Sequence, residues 1–152
     1  MNLSAIWTID VTPELFNKRN ADTLSPLLGI VFTEVGEDYL VARMPVTSHH
    51  LQPQGIMHGG ASCVLAETVG SVGANYCIDV EKQYCVGLDI NTNHIRAVRS
   101  GDLFATGKPY HLGRTTQVWS IEICDAAKKL VSVTRLTLLV LEKDIFDVVQ
   151  KS

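Results

Sequence analysis

Residues 59–77 carry a single charged side chain, Glu67, in a run otherwise built from Ala, Ser, Cys, Val, Leu, Thr and Gly, with Asn75 and Tyr76 near its end. Read as a helix, the run extends about 28 Å at 1.5 Å per residue. A surface helix shows an apolar stripe opposite a charged face. This one has no charged face, so it must be covered nearly all round. Gly70 and Gly73 lower its helix propensity, and close approach of another element is expected to compensate. It is the long helical segment around which the other elements must be arranged.

Beyond this helix the chain reads as β. The stretch 84–98 alternates, placing Val86, Leu88 and Ile90 on one face and Asp89, Asn91 and Asn93 on the other. Ser100-Gly101 turns the chain into 102–110, Leu112-Gly113-Arg114 into 116–124, and Asp125-Ala126-Ala127-Lys128 into 130–141. Upstream, 29–35 and 39–46 read as a hairpin across Gly36-Glu37-Asp38, and 47–55, with Pro53 and Gly55, as loop. Strands at hairpin spacing predict an antiparallel sheet. About six such strands and one buried helix predict an α+β fold, a sheet wrapped around a central helix. Thr12-Pro13-Glu14 opens a short helix to about Arg19, with Thr12 as N-cap and Pro13 in first position. A second short turn is expected over 22–28 and an amphipathic one over 144–149. The expected division is a helical segment at 1–24, one domain at 25–141 and a tail at 142–152.

Composition narrows the function classes. Hydrophobic residues make up 46% of the 152, enough for a core and too many for a disordered chain. With 13 Lys+Arg against 16 Asp+Glu the net charge is −3, which argues against a generally basic nucleic-acid binder. No basic stretch precedes an apolar run at the N-terminus, and 59–78 is too polar to span a bilayer. No membrane association and a cytoplasmic location are therefore expected. Cys63, Cys77, Cys85 and Cys124 form no C-x-x-C pair and read as reduced, packed thiols. The histidines form no ligand set, and adjacent His49 and His50 do not share a face, so no metal is expected. Charge is unevenly spread. Between His94 and Arg114, four cations (Arg96, Arg99, Lys108, Arg114) meet one anion (Asp102), a local +3 inside a negative chain.

Chemistry concentrates at the helix and the loop before it. A carboxylate among apolar neighbours is expensive to desolvate unless partnered. Ser71 and Asn75, at i+4 and i+8 from Glu67, continue one polar stripe down the helix. Two readings stand: a structural Glu67 bonded to a neighbour, or a nucleophile or general base in a partly dry cleft. Gln52-Pro53-Gln54-Gly55-Ile56-Met57-His58-Gly59-Gly60 leads into the helix. Gly59 and Gly60 allow close approach of a ligand. The first helical amides are unbonded donors at the positive end of the dipole, suited to a developing oxyanion. His58 and Gln52 are candidates to add side-chain donors. His58 taken alone suits a cap or core position better than a catalytic one, and the His-Gly-Gly at the mouth of a helix carrying a lone Glu turns the reading toward function.

Taken together, Gln52-Pro-x-Gly-x-x-His58-Gly59-Gly60-Ala-Ser and Leu65-Ala66-Glu67-Thr68-x-Gly70-Ser71 resemble the hotdog-fold acyl-CoA thioesterases of the phenylacetate-degradation superfamily. Within it the sequence is most similar to the 1,4-dihydroxy-2-naphthoyl-CoA thioesterases of menaquinone and phylloquinone synthesis and to the proofreading thioesterases of enterobactin synthesis. The likeness runs on through Val86-Gly87-Leu88-Asp89-Ile90-Asn91-x-Asn93-His94-x-Arg96, His111-Leu112-Gly113, Gln117-Val118-Trp119-x-Ile121 and Arg135-Leu136-Thr137.

The resemblance implies hydrolysis of an aromatic or medium-chain acyl-CoA, without a cofactor, since CoA is part of the substrate. It implies Glu67 as nucleophile or general base, the Gly59 amide with His58 and Gln52 polarising the thioester carbonyl, and Ser71 positioning the water or intermediate. Gly60, Thr68, Gly87, Asn91, His94, Arg96, His111, Leu112, Gly113, Arg114 and Thr115 would bind the CoA and acyl portions. Arg96, Arg99, Lys108 and Arg114 suit its phosphates, Arg114 first among them. It also implies a homodimer, often paired into a tetramer, with active sites between subunits. Open sheet edges argue independently for pairing. Gln54 and Asn75 stand where relatives place aromatic residues against the acyl group. The competing classes are a thioesterase acting on carrier-protein-bound acyl groups, a hotdog dehydratase or hydratase, and a non-catalytic acyl-CoA binder.

Overall fold

The structure, a computed structural model, describes residues 5–143; the turn expected at 144–149 lies outside them. The long helix, α3, spans Gly59–Asn75. It ends two residues before the expected boundary because its last turn tightens. Tyr76 N–H bonds Gly73 O at 3.1 Å and Cys77 N–H bonds Ala74 O at 3.2 Å. Ser62, Leu65, Ala66, Val69, Gly70, Gly73 and Ala74 are buried, the spacing of one helical face. The opposite face, through Cys63, Glu67, Thr68, Ser71 and Asn75, is only half-buried. The cover expected all round is supplied by this chain on one side.

That cover is a sheet of six strands: β1 (Val31–Val35), β2 (Leu40–Val46), β3 (Gln83–His94), β4 (Gly101–Leu112), β5 (Thr116–Asp125) and β6 (Leu130–Glu142). All neighbours are antiparallel, in the order β1-β2-β4-β5-β6-β3. Leu40, Ala42 and Met44, Leu103 and Ala105, Trp119, Ile121 and Ile123, and Leu136 and Leu138 are all buried. They meet Leu65, Ala66 and Val69 of α3 in one core. Gly70 and Gly73 are the close approaches expected. A Cβ would lie 2.5 Å from Leu136 Cδ2 at the first and 2.6 Å from Trp119 Cη2 at the second. Trp119 is held from behind, its Nε1–H donating to Gln117 Oε1 at 2.9 Å.

Two expectations are corrected. Ser100-Gly101 does not close a hairpin between β3 and β4. The chain crosses over there instead: residues 95–100 pass the end of β6, where Ile95 and Arg96 N–H reach Val131 O at 2.9 and 3.1 Å. β3 takes the open edge of β6, and β4 lies between β2 and β5. Nor do Val86, Leu88 and Ile90 share a face. Cross-strand partners point the same way, and Cys85, Gly87 and Ile90 oppose Val140, Leu138 and Leu136, with the register shifting between Gly87 and Asp89. Leu88 is the extra residue of a bulge, which reverses the alternation beyond it. Ile90 therefore faces α3 while Val86 faces away.

The N-terminal segment closes one end of the core. Helix α1 (Pro13–Arg19), capped by Thr12 as expected, is followed by a short α2 (Leu24–Leu27). Phe16 is fully buried and packs edge-on to Phe32 at 5.3 Å between ring centres and against Tyr76 at 4.9 Å.

Candidate active site

The loop enters α3 through His58, Gly59 and Gly60. His58 is the N-cap. Gly60 N–H donates to its Nδ1 at 2.8 Å, and Ala61 N–H donates to its carbonyl at 2.9 Å. Gly59 N–H is thus left open at the positive end of the helix. Because Nδ1 accepts, these bonds assign the ring proton of neutral His58 to Nε2, which is a donor. Gln52 is arranged likewise: its Oε1 accepts from Gln54 N–H at 2.6 Å, leaving its amide nitrogen as the free end. A cavity of about 270 Å³ lies here, lined by Gln52, Met57, Gly59, Ser62, His94 and Val98 among others. A Cβ at Gly59 would lie 2.8 Å from His94 Nε2, so any larger residue there would push that ring aside.

The loop is pinned from three sides, by residues that sequence reasoning gave other roles or none. His58 N–H donates to the carbonyl of His50 at 2.8 Å. His50 is itself buried, its Nε2 on Leu28 O at 2.9 Å and its Nδ1 receiving Thr47 N–H at 3.1 Å. Met57 N–H bonds Val98 O at 2.7 Å, and Arg99 reaches Gly55 O at 3.1 Å.

Glu67 lies two turns further along α3, half-buried. Ser71 Oγ donates to its Oε1 at 3.0 Å, as the i, i+4 spacing anticipates. Gly87 packs directly on Oε1, so that a Cβ there would push the carboxylate aside. Glu67, Gly87, Leu88, Asp89 and Ile90 line an open cleft of about 320 Å³, which the β3 bulge shapes. Their positions on α3 separate Gly59 and Glu67 by about 12 Å along the helix axis. The two cavities share no lining residue. Within one chain the donors and the carboxylate do not meet on one reacting atom. Cys85, beside this cleft, offers no alternative nucleophile: burial pushes its thiol up to about 11.

A family model described as the thioesterase superfamily matches residues 54–132, which hold His58, Gly59 and Glu67. The chain belongs to the thioesterase superfamily. It is 45% identical over 136 residues to the 1,4-dihydroxy-2-naphthoyl-CoA hydrolase of Escherichia coli, covering 90% of this chain and 99% of that one. It is 41% identical over 136 residues to the proofreading thioesterase EntH of Cronobacter sakazakii, covering 90% and 98%. A crystal structure of a mutant Pseudomonas aeruginosa thioesterase superposes with a TM-score of 0.89 at 40% identity, over 91% of this chain and 99% of that one. The fold is the hotdog fold, and the protein is a thioester hydrolase.

The remaining predicted residues of this thioesterase fall into separate places. Gly60, in the first turn of α3, and Thr68, beside Glu67, lie on the half-buried face of the helix. Asn91 lies on the face of β3 away from α3, while His94 and Arg96 border the donor cavity. His111, Leu112, Gly113, Arg114 and Thr115 lie at the far end of β4 and its turn into β5. The length of β4 puts that turn roughly 36 Å from Arg96 and Arg99 at 3.3 Å per residue. The four cations are therefore not one patch. Arg99 holds the donor loop, and Lys108 pairs with Asp38 at 3.5 Å. Arg114 has no ion-pair partner among the described residues. Asn75 is engaged within the chain: its carboxamide binds the main chain of Cys85. That bond is between distant residues and left no mark in the sequence.

Proposed function

We propose that this thioesterase hydrolyses an aromatic or medium-chain acyl-CoA to the free acid and CoA, in a site completed by a second copy of the chain. The observation that carries the reading is the open Gly59 N–H at the positive end of α3, with local bonds at His58 and Gln52 that leave one side-chain donor over on each. Such donors suit a carbonyl oxygen that gains negative charge as its carbon becomes tetrahedral. Glu67 then acts on that carbon in one of two ways. Its free Oε2 attacks directly, forming an anhydride that water opens, or it removes a proton from an attacking water. In both, the tetrahedral oxyanion collapses, the C–S bond breaks and the sulfur leaves as CoA thiolate. No step needs a cofactor. The Nε2–H tautomer of His58 speaks against a dehydratase, whose histidine must accept a proton.

Three features support a shared site. The Gly59-to-Glu67 separation along α3 is too great for one thioester. The Glu67 face of that helix is half-buried. The open edge strand β3 exposes Val86 and Leu88, 38% and 59% accessible. A second copy set across a two-fold axis covers both surfaces and brings its donor loop to Glu67. Similarity to a naphthoyl-CoA hydrolase supports an aromatic acyl group, and similarity to EntH supports a test of carrier-bound substrates.

The test is free-thiol release from naphthoyl-, benzoyl-, phenylacetyl- and straight-chain acyl-CoAs and from an acylated carrier protein, with wild type and Glu67→Ala. Folded Glu67→Ala is expected to lose at least ~10²-fold in kcat. Near-normal turnover by that variant would remove Glu67 from the mechanism.

A further inference from the structure

Asn75 ends α3 with a carboxamide that behaves like a short piece of strand. Its Nδ2 donates to Ser71 O at 2.8 Å and to Cys85 O at 3.2 Å, and its Oδ1 accepts from Cys85 N–H at 2.9 Å. In an antiparallel ladder the N–H and C=O of one residue point to the same side. Both groups of Cys85 are thus taken at the open edge of β3, and the strand is fastened to the helix there. Ser71, whose carbonyl receives one of these bonds, also bonds Glu67 through its hydroxyl. Two residues past Cys85 is Gly87, the wall against which the Glu67 carboxylate rests.

The same device occurs at the other edge of the sheet. Asn17 of α1 donates to Phe32 O at 2.9 Å and accepts from Phe32 N–H at 2.8 Å, fastening β1. The two clasps are chemically alike, but β1 lies at the opposite end of the sheet order from the strand that walls Glu67.

We propose that Asn75 is a positioning residue for the reaction: by clamping β3 to α3 it sets the gap between Gly87 and the Glu67 carboxylate, and so aims that carboxylate. The inference rests on the proposed role of Glu67. Displacement of a reacting group by a fraction of an ångström lowers the chemical step while leaving substrate binding by other residues largely intact.

The experiment compares Asn75→Ala, Asn17→Ala, Glu67→Ala and the Glu67→Ala/Asn75→Ala double variant, with kcat and KM for benzoyl-CoA and urea midpoints for each. Asn75→Ala is expected to lower kcat about 10-fold with KM within about twofold. Asn17→Ala is expected to lower the urea midpoint comparably while kcat stays within about twofold, because its clasp touches no reacting group. On the Glu67→Ala background the Asn75 change is expected to slow turnover no further, since a residue acting through Glu67 has nothing left to aim. Unchanged kcat in Asn75→Ala, or a loss that multiplies that of Glu67→Ala, overturns the clamp. Wild-type turnover in Glu67→Ala overturns the Glu67 reading and the clamp with it. If Asn75→Ala does not fold, Asn75→Asp takes its place. It keeps the acceptor for Cys85 N–H and loses both donated bonds, so an unchanged kcat there overturns the proposal equally.

Discussion

At the start of α3 the N–H of Gly60 needs an acceptor that the helix itself does not supply, and His58 Nδ1 provides one at 2.8 Å. The ring therefore carries a structural load on one nitrogen and a chemical one on the other, and the two are separable. His58→Ala is expected to cost about 1 kcal/mol of stability, the usual worth of an N-cap, and to lower kcat as well. His58→Asn restores the cap through its Oδ1, so its urea midpoint should return toward wild type while kcat stays low. A variant that recovers both together would show that the donor at Nε2 is not used. Residues of this kind are legible from sequence because their partners are close along the chain. The cap lies two residues from its donor, and Glu67 lies four from Ser71. Asn75 is different: its partner Cys85 is ten residues away on another element, and a stripe at i+8 from Glu67 says nothing of β3.

At the scale of an element, α3 is legible as a whole and ambiguous in detail. Its lack of charge announces burial, and its glycines announce close packing. Gly73 shows which force prevails. Alanine there improves helix propensity by about 1 kcal/mol, yet its Cβ would meet the Trp119 ring at 2.6 and 2.7 Å. That ring is fully buried and cannot move aside, and overpacking of this kind costs about 1–3 kcal/mol. Gly73→Ala is therefore expected to lower the urea midpoint, and a raised midpoint would refute the packing argument.

Just beyond α3, burial pushes the Cys77 thiol up to about 12, and the same cause raises Cys85. Above the ordinary thiol value of 9.0 the unfolded chain gives up protons that the folded chain keeps. Stability should then fall as pH rises from 9.0 toward about 12. Urea midpoints taken from pH 8 to 11 should decline, and less steeply in Cys77→Ala; equal slopes would contradict the assignment. The strand β3 is the least legible element. Alternation is read by parity, and one extra residue at Leu88 reverses it, beside the point where Gly87 meets Glu67.

For the whole molecule, a shared site makes a prediction that no single-chain site shares. In a dimer that shares its sites in this way, Glu67→Ala and His58→Ala would each disable every site of their own assembly. Unfolded together and refolded, half the dimers are hybrids, and each hybrid holds one intact site and one doubly defective site. Activity should recover to about a quarter of wild type. A mixture that stays at the level of its inactive parents would place the whole site within one chain. Size measurement by light scattering on the same samples reports whether the unit is a dimer or a larger assembly.

The sequence alone determined the elements with local causes: the uncharged helix, the capped α1, the strands bounded by Gly, Pro and Asp turns, and the loop of donors leading into Glu67. Each arises from interactions within a few residues or from a periodicity that burial imposes on a single element. Only the tertiary structure decided the rest: that β3 crosses to the far edge, that a bulge turns Ile90 toward α3, and that Arg99 holds a loop. These depend on which distant surfaces come into contact, such as Gly70 and Gly73 against Leu136 and Trp119 and Gly87 against Glu67, a property of the assembled core.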